Sequence, residues 1–158
     1  MKIKIIAEAP SKLPKELQSK WSKSLTKVKA DSDKSAIIFL AELLELLTGE
    51  KTTFQCAGVV DYDMFGACDY QWTLTSGKSR IVRQLQRDIS ESWQRVEVEA
   101  DNVITHGLEK YKFKWNGECG GTLSTLEVDL EVENSHFMVK LEEIGNKLYE
   151  DFELKILG

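Results

Sequence analysis

The chain has 158 residues, 42% of them hydrophobic and 30% charged, with 26 acidic against 21 basic side chains and a net charge of −5. These values predict a single soluble domain, residues 1–158, with enough apolar material for a core. Ten glycines, two prolines and three cysteines exclude a collagen-like, disordered or disulfide-dense chain. The apolar run Ile5-Ile6-Ala7 is too short for a signal peptide, although Ala7-Glu8-Ala9 mimics a cleavage site. The longest apolar stretch, 36–47, is interrupted by Glu42 and Glu45, so no membrane span is expected. An odd set of cysteines, Cys56, Cys68 and Cys119, fits a reducing compartment, and a cytoplasmic location is expected.

Ile3 and Ile5 alternate with Lys2 and Lys4, which predicts a short opening strand. Leu17, Trp21, Leu25 and Val28 then recur at the spacing of one helical face, with lysines on the other side, and predict a helix over about 14–28. Asp31-Ser32-Asp33 offers an N-cap for a second helix over about 34–48, closed at Gly49. Its Ile37, Ile38, Phe39, Leu40, Leu43, Leu44, Leu46 and Leu47 cover nearly the whole circumference, and Glu42 and Glu45 form a narrow polar strip. Such a helix belongs inside the core. Residues 52–62 and 70–75 read as strands joined by the loop 61–66. A third helix is predicted over about 78–94, followed by a strand that starts near Val96.

The last fifty residues constrain one another. If Gly120-Gly121, Asn134-Ser135 and Asn146-Lys147 are two-residue turns, Trp115 faces Leu126, Phe113 faces Val128 and Tyr111 faces Leu130. Val132, Leu130 and Val128 then face Phe137, Val139 and Leu141, which in turn face Ile156, Leu154 and Phe152. One register places all of these on one face, and a slip by one residue would expose a whole strand's set. The expected fold is therefore α+β: an antiparallel sheet with a C-terminal four-stranded meander (about 110–157) packed against two or three helices.

Chemical motifs are incomplete. Cys56, Cys68, Cys119, His106 and His136 include no close ligand pair of the kind zinc sites use, so no metal is expected. Asp61, Asp63 and Gly66 copy three positions of a calcium loop, but Phe65 and Trp72 replace two of its ligands. Thr75-Ser76-Gly77-Lys78-Ser79 resembles the end of a phosphate-binding loop, yet Trp72 stands where the first glycine is needed. It reads as a strand-to-helix turn capped by Ser76. Of the acids Glu127, Asp129, Glu131 and Glu133, the first three fall opposite Lys114, Lys112 and Lys110, and across the next turn Lys140 also falls opposite Asp129, as on a solvated sheet face. No catalytic residue and no cofactor is expected from these patterns.

All four arginines of the chain, Arg80, Arg83, Arg87 and Arg95, fall in the predicted third helix, where the first three form a stripe opposite Ile81, Val82, Leu85, Ile89 and Trp93. Guanidinium groups bind carboxylate or phosphate bidentately, so this stripe is the expected partner-binding surface of a non-enzymatic interaction module. The expected partner is an acidic protein surface or other anionic ligand rather than nucleic acid, since the chain is acidic overall. Residues 1–95 carry 15 bases against 12 acids and the remainder 6 against 14, so the mean charge conceals two different surfaces. Two alternatives stand beside this reading. One is a small enzyme or ligand-binding domain with a pocket between the sheet and the second helix, using Cys56, His106 and Asp61. The other is an assembly subunit that homo-oligomerises through the strand edges 1–8 or 148–157.

Overall fold

A computed structural model describes residues 1–10, 12–29, 31–58, 68–89, 96–106, 109–117, 123–132 and 136–157; for 68–70, 84–89, 96–106, 109–117 and 123–125 it describes the backbone alone. The element order is β1 (Lys2–Pro10), α1 (Lys15–Trp21), α2 (Asp31–Thr48), β2 (Thr53–Ala57), β3 (Cys68–Ser76), β4 (Ser79–Ile89), β5 (Val96–His106), β6 (Glu109–Gly117), β7 (Leu123–Glu131), α3 (Met138–Leu148) and β8 (Tyr149–Leu157). The strands form one antiparallel sheet in the order β2-β3-β4-β5-β6-β7-β1-β8. The α+β class and the antiparallel sheet are as expected.

One face of the sheet is covered. Ile3, Ile5 and Ala7 of β1, Leu126, Val128 and Leu130 of β7, and Trp72, Leu74 and Ile81 of β3 and β4 are buried there in one cluster with α2. α2 touches β1, β3, β7 and α3. Ile37, Ile38, Phe39, Leu40, Leu43 and Leu44 are all buried, because a helix apolar on every side finds partners on the sheet and on both neighbouring helices. The N-terminal boundary lies three residues earlier than expected, so 31–33 belong to the first turn. The C-terminus is as expected: Gly49 takes φ +74 and its N–H bonds to the Glu45 carbonyl at 2.8 Å.

The β6/β7 register matches the sequence arithmetic, with Trp115 opposite Leu126 and Phe113 opposite Val128. On the other face Lys112 and Lys114 fall opposite Asp129 and Glu127, and from β1 Lys2 and Lys4 fall opposite Glu131 and Asp129. The acidic run of β7 is thus answered by lysines from both sides.

α1 spans only Lys15–Trp21 of the helix expected over about 14–28, because turns replace it from residue 22, and two other elements differ in kind from expectation. The third helix is a strand: residues 79–89 form β4, paired with β3 on one side and β5 on the other. The turn before it is a β-hairpin loop, in which Ser76 pairs with Ser79 and Gly77 takes φ +58. Glycine at the first of two loop positions fits a type II′ hairpin, whose twist suits flanking strands. Spacing alone misleads here, because Ile81, Val82, Leu85 and Ile89 fit a helical face, while the two-residue period of the strand is obscured by Arg83 at a core-facing position.

The meander is the second correction. Residues 138–148 form α3, and β8 pairs with β1, so Phe152, Leu154 and Ile156 face Ala7, Ile5 and Ile3. Phe137, Val139 and Leu141 fit a two-residue period, but Phe137, Leu141, Gly145 and Leu148 fit a helical one, and these four are the buried set. Val139, which the strand reading buries, is 73% exposed. Gly145 is required by packing: a Cβ there would strike the Phe152 ring.

Candidate functional site

The arginine stripe does not exist as a helical face. Arg80 is exposed, whereas Arg83 is 2% exposed on the covered side of the sheet, directly across from Trp72. Alternation along β4 separates them, since residues an odd number apart point to opposite faces. Arg87 shares the parity of Arg83 in the register, opposite Cys68 and Val98. Arg95 lies outside the described residues. No helix of the described chain is long and apolar enough to cross a membrane.

The residues suggested for a pocket under α2 are not assembled by the described structure. Cys56 sits partly buried on β2 with its thiol donating to the Gly58 carbonyl at 3.3 Å, and burial pushes its pKa up. His106 ends β5, while Asp61, the rest of the calcium-like loop and Cys119 lie outside the described residues. Among the described residues no three His, Cys, Asp or Glu side chains gather as metal ligands would.

A different concave surface is built by α1 and the turns that follow it. Pro14, extended at φ −66 and ψ 145, starts α1, which runs only to Trp21 and then gives way to turns through residue 27. Trp21, Leu25 and Val28 are still all buried, in the cluster that holds the apolar residues of α2. Between this segment and α2 lies a groove of about 280 Å³ lined by Leu13, Trp21, Leu25, Val28 and Ile38, with Gln18, Ser22, Thr26 and Lys34 supplying its polar groups.

The wall is anchored by the polar strip of α2. The Trp21 indole N–H donates to Glu42 Oε1 at 3.0 Å, and Lys20 Nζ donates to the same oxygen and to Glu45 Oε2, each at 2.8 Å. Glu45 Oε1 accepts the Thr52 backbone N–H at 3.1 Å, and the Thr52 hydroxyl donates to the Ala41 carbonyl at 3.0 Å. Glu42 and Glu45 therefore clip α1 and the start of β2 onto α2. Burial alone would lower the Lys20 pKa, but the hydrogen bonds and charges of the two glutamates outweigh it and raise the pKa.

Around the groove the charge is concentrated. Residues 12–29 hold Lys12, Lys15, Lys20, Lys23, Lys27 and Lys29 against the single acid Glu16, so this segment carries +5 and the remaining chain −10. All six lysines are exposed. Reading the lysines only as the solvated side of an amphipathic helix hides this; a charge count in a window of about twenty residues finds it.

No protein family, no curated protein and no solved structure matches this chain.

Proposed function

We propose that the protein is an interaction module that docks on an acidic partner through the lysine-studded segment 12–29 and the apolar groove between that segment and α2. The partner class is the one anticipated from the sequence, but the cationic surface is different. The observation that carries the reading is the coincidence of a +5 segment with a groove floored by Leu13, Leu25, Val28 and Ile38. Charge alone attracts any anion, and a small apolar recess adds a requirement for a hydrophobic side chain set among the acids. The fitting ligand is an acidic amphipathic segment that inserts one or two apolar anchors while its carboxylates meet the lysines.

The test is a titration of the isotope-labelled full-length protein with a synthetic peptide bearing leucines at helical spacing and glutamates elsewhere, followed by backbone and indole chemical shifts. The reading predicts saturable shifts concentrated at residues 13–38, including the Trp21 indole. A glutamate-only peptide should bind more weakly. Equal binding of both peptides, stronger binding of dodecanoate than of either, or shifts confined to the opposite sheet face at Arg80 would each overturn it.

A further inference from the structure

Among the described residues the sheet is open at both ends of its strand order, and the two edges differ. β2 spans Thr53–Ala57, whereas β8 spans Tyr149–Leu157 and, among the described strands, pairs with β1 alone. A long free edge displays a row of unpaired backbone donors and acceptors and is a template for another strand. Ile156 and Leu157 of β8 are 57% and 46% exposed, and Met1, just before β1, is 45% exposed. Val139, in the first turn of α3, is 73% exposed as well. The large hydrophobic residues exposed among the described side chains are these four.

We infer that β8 pairs antiparallel with β8 of a second copy of this chain, about a two-fold axis at Leu154. The charges of the strand carry the choice of occupant. Centred on Leu154, the pairing sets Glu153 against Lys155 of the second copy and Lys155 against Glu153 of the second copy. It also sets Phe152 against Ile156 in both directions and Leu154 against itself, extending the apolar face of the sheet across the junction. The register centred on Glu153 sets Glu153 against itself beside two Asp151–Lys155 pairs, and the one centred on Lys155 sets Lys155 against itself with no opposing acid, whereas the register centred on Leu154 sets no like charges opposite one another. Within one chain Lys155 Nζ already lies 3.2 Å from Glu153 Oε1, so the junction becomes an alternating quartet of charges. Phe152 and Leu154 are only half-buried in the single chain, as expected of residues that lack a neighbour on the edge side.

The experiment is sedimentation of the full-length protein over a range of concentrations, with two single variants and their mixture. Lys155→Glu leaves two glutamates at these positions and Glu153→Lys leaves two lysines; both sites are exposed, so each variant should keep the wild-type circular dichroism spectrum. Wild type should self-associate to a dimer, each variant alone should dimerise at least about tenfold more weakly, and the equimolar mixture should recover dimers. A wild type that stays monomeric up to its solubility limit overturns the inference. So do variants that dimerise as well as wild type, or a mixture that does not recover.

Discussion

The Trp21 indole N–H donates to Glu42 Oε1 at 3.0 Å, and through this bond the groove wall is held to the central helix. Both partners are buried, and the carboxylate oxygen is shared with Lys20. Glu42→Leu leaves the indole donor without an acceptor and should lower stability by about 1–3 kcal/mol. Glu42→Gln keeps an acceptor for Trp21 and should lose less. Urea unfolding of the two variants decides the point: equal losses would mean that the indole bond contributes nothing.

Gly145 and Phe152 make a second close relationship, between α3 and β8. A methyl group at 145 would strike the Phe152 ring, so Gly145→Ala should destabilise the fold by about 1–3 kcal/mol through overpacking. At an exposed helical site the same change would stabilise. A combined Gly145→Ala, Phe152→Leu variant should recover part of the loss, as thermal unfolding would show.

Tyr149 gives the fold an alkaline limit. Its phenol is buried, and burial together with the Asp33 carboxylate pushes its pKa well above the ordinary value of 10.0. A raised folded-state pKa contributes stability that is whole below the unfolded value and is lost as pH climbs past it, because the unfolded chain then releases a proton the folded chain retains. Lys20, whose pKa is also raised, acts in the same direction above its ordinary 10.5. Stability should therefore fall above about pH 10. Tyr149→Phe should flatten that fall, with little loss at neutral pH because the hydroxyl has no hydrogen-bond partner among the described residues. An unchanged alkaline limb would contradict this.

The two described arginine side chains of β4 should behave as members of a strand. Arg80 is exposed and Arg80→Ala should alter stability by less than about 0.5 kcal/mol. Arg83 is buried across from Trp72, and Arg83→Ala should cost on the order of 2 kcal/mol through lost packing and a disturbed buried charge. On a helical stripe both would be neutral.

Much of the architecture is legible in the residues. β1, α2 and β3 follow from simple periodicity, and the β6/β7 register follows from matching apolar sets across a turn. β4 is illegible for a physical reason: Arg83 occupies a core position, and what remains, Ile81, Val82, Leu85 and Ile89, fits a helix. For α3, Phe137 and Leu141 satisfy either period, and only the pairing of β8 with β1 decides, because that pairing removes the partner the meander needs. The groove is harder still, since it arises where α1 stops at Trp21 while its apolar spacing continues to Val28, which periodicity does not reveal.

In the proposed mode of binding, the lysine segment and not β4 takes the acidic partner. Affinity for the leucine-and-glutamate peptide, measured on wild type, on Lys23→Glu with Lys27→Glu, and on Arg80→Glu, tests it most directly. The lysine reversals should weaken binding at least about tenfold, and more at low salt than at high, while Arg80→Glu leaves it within about twofold. Binding that survives the lysine reversals and fails with Arg80→Glu would contradict the account.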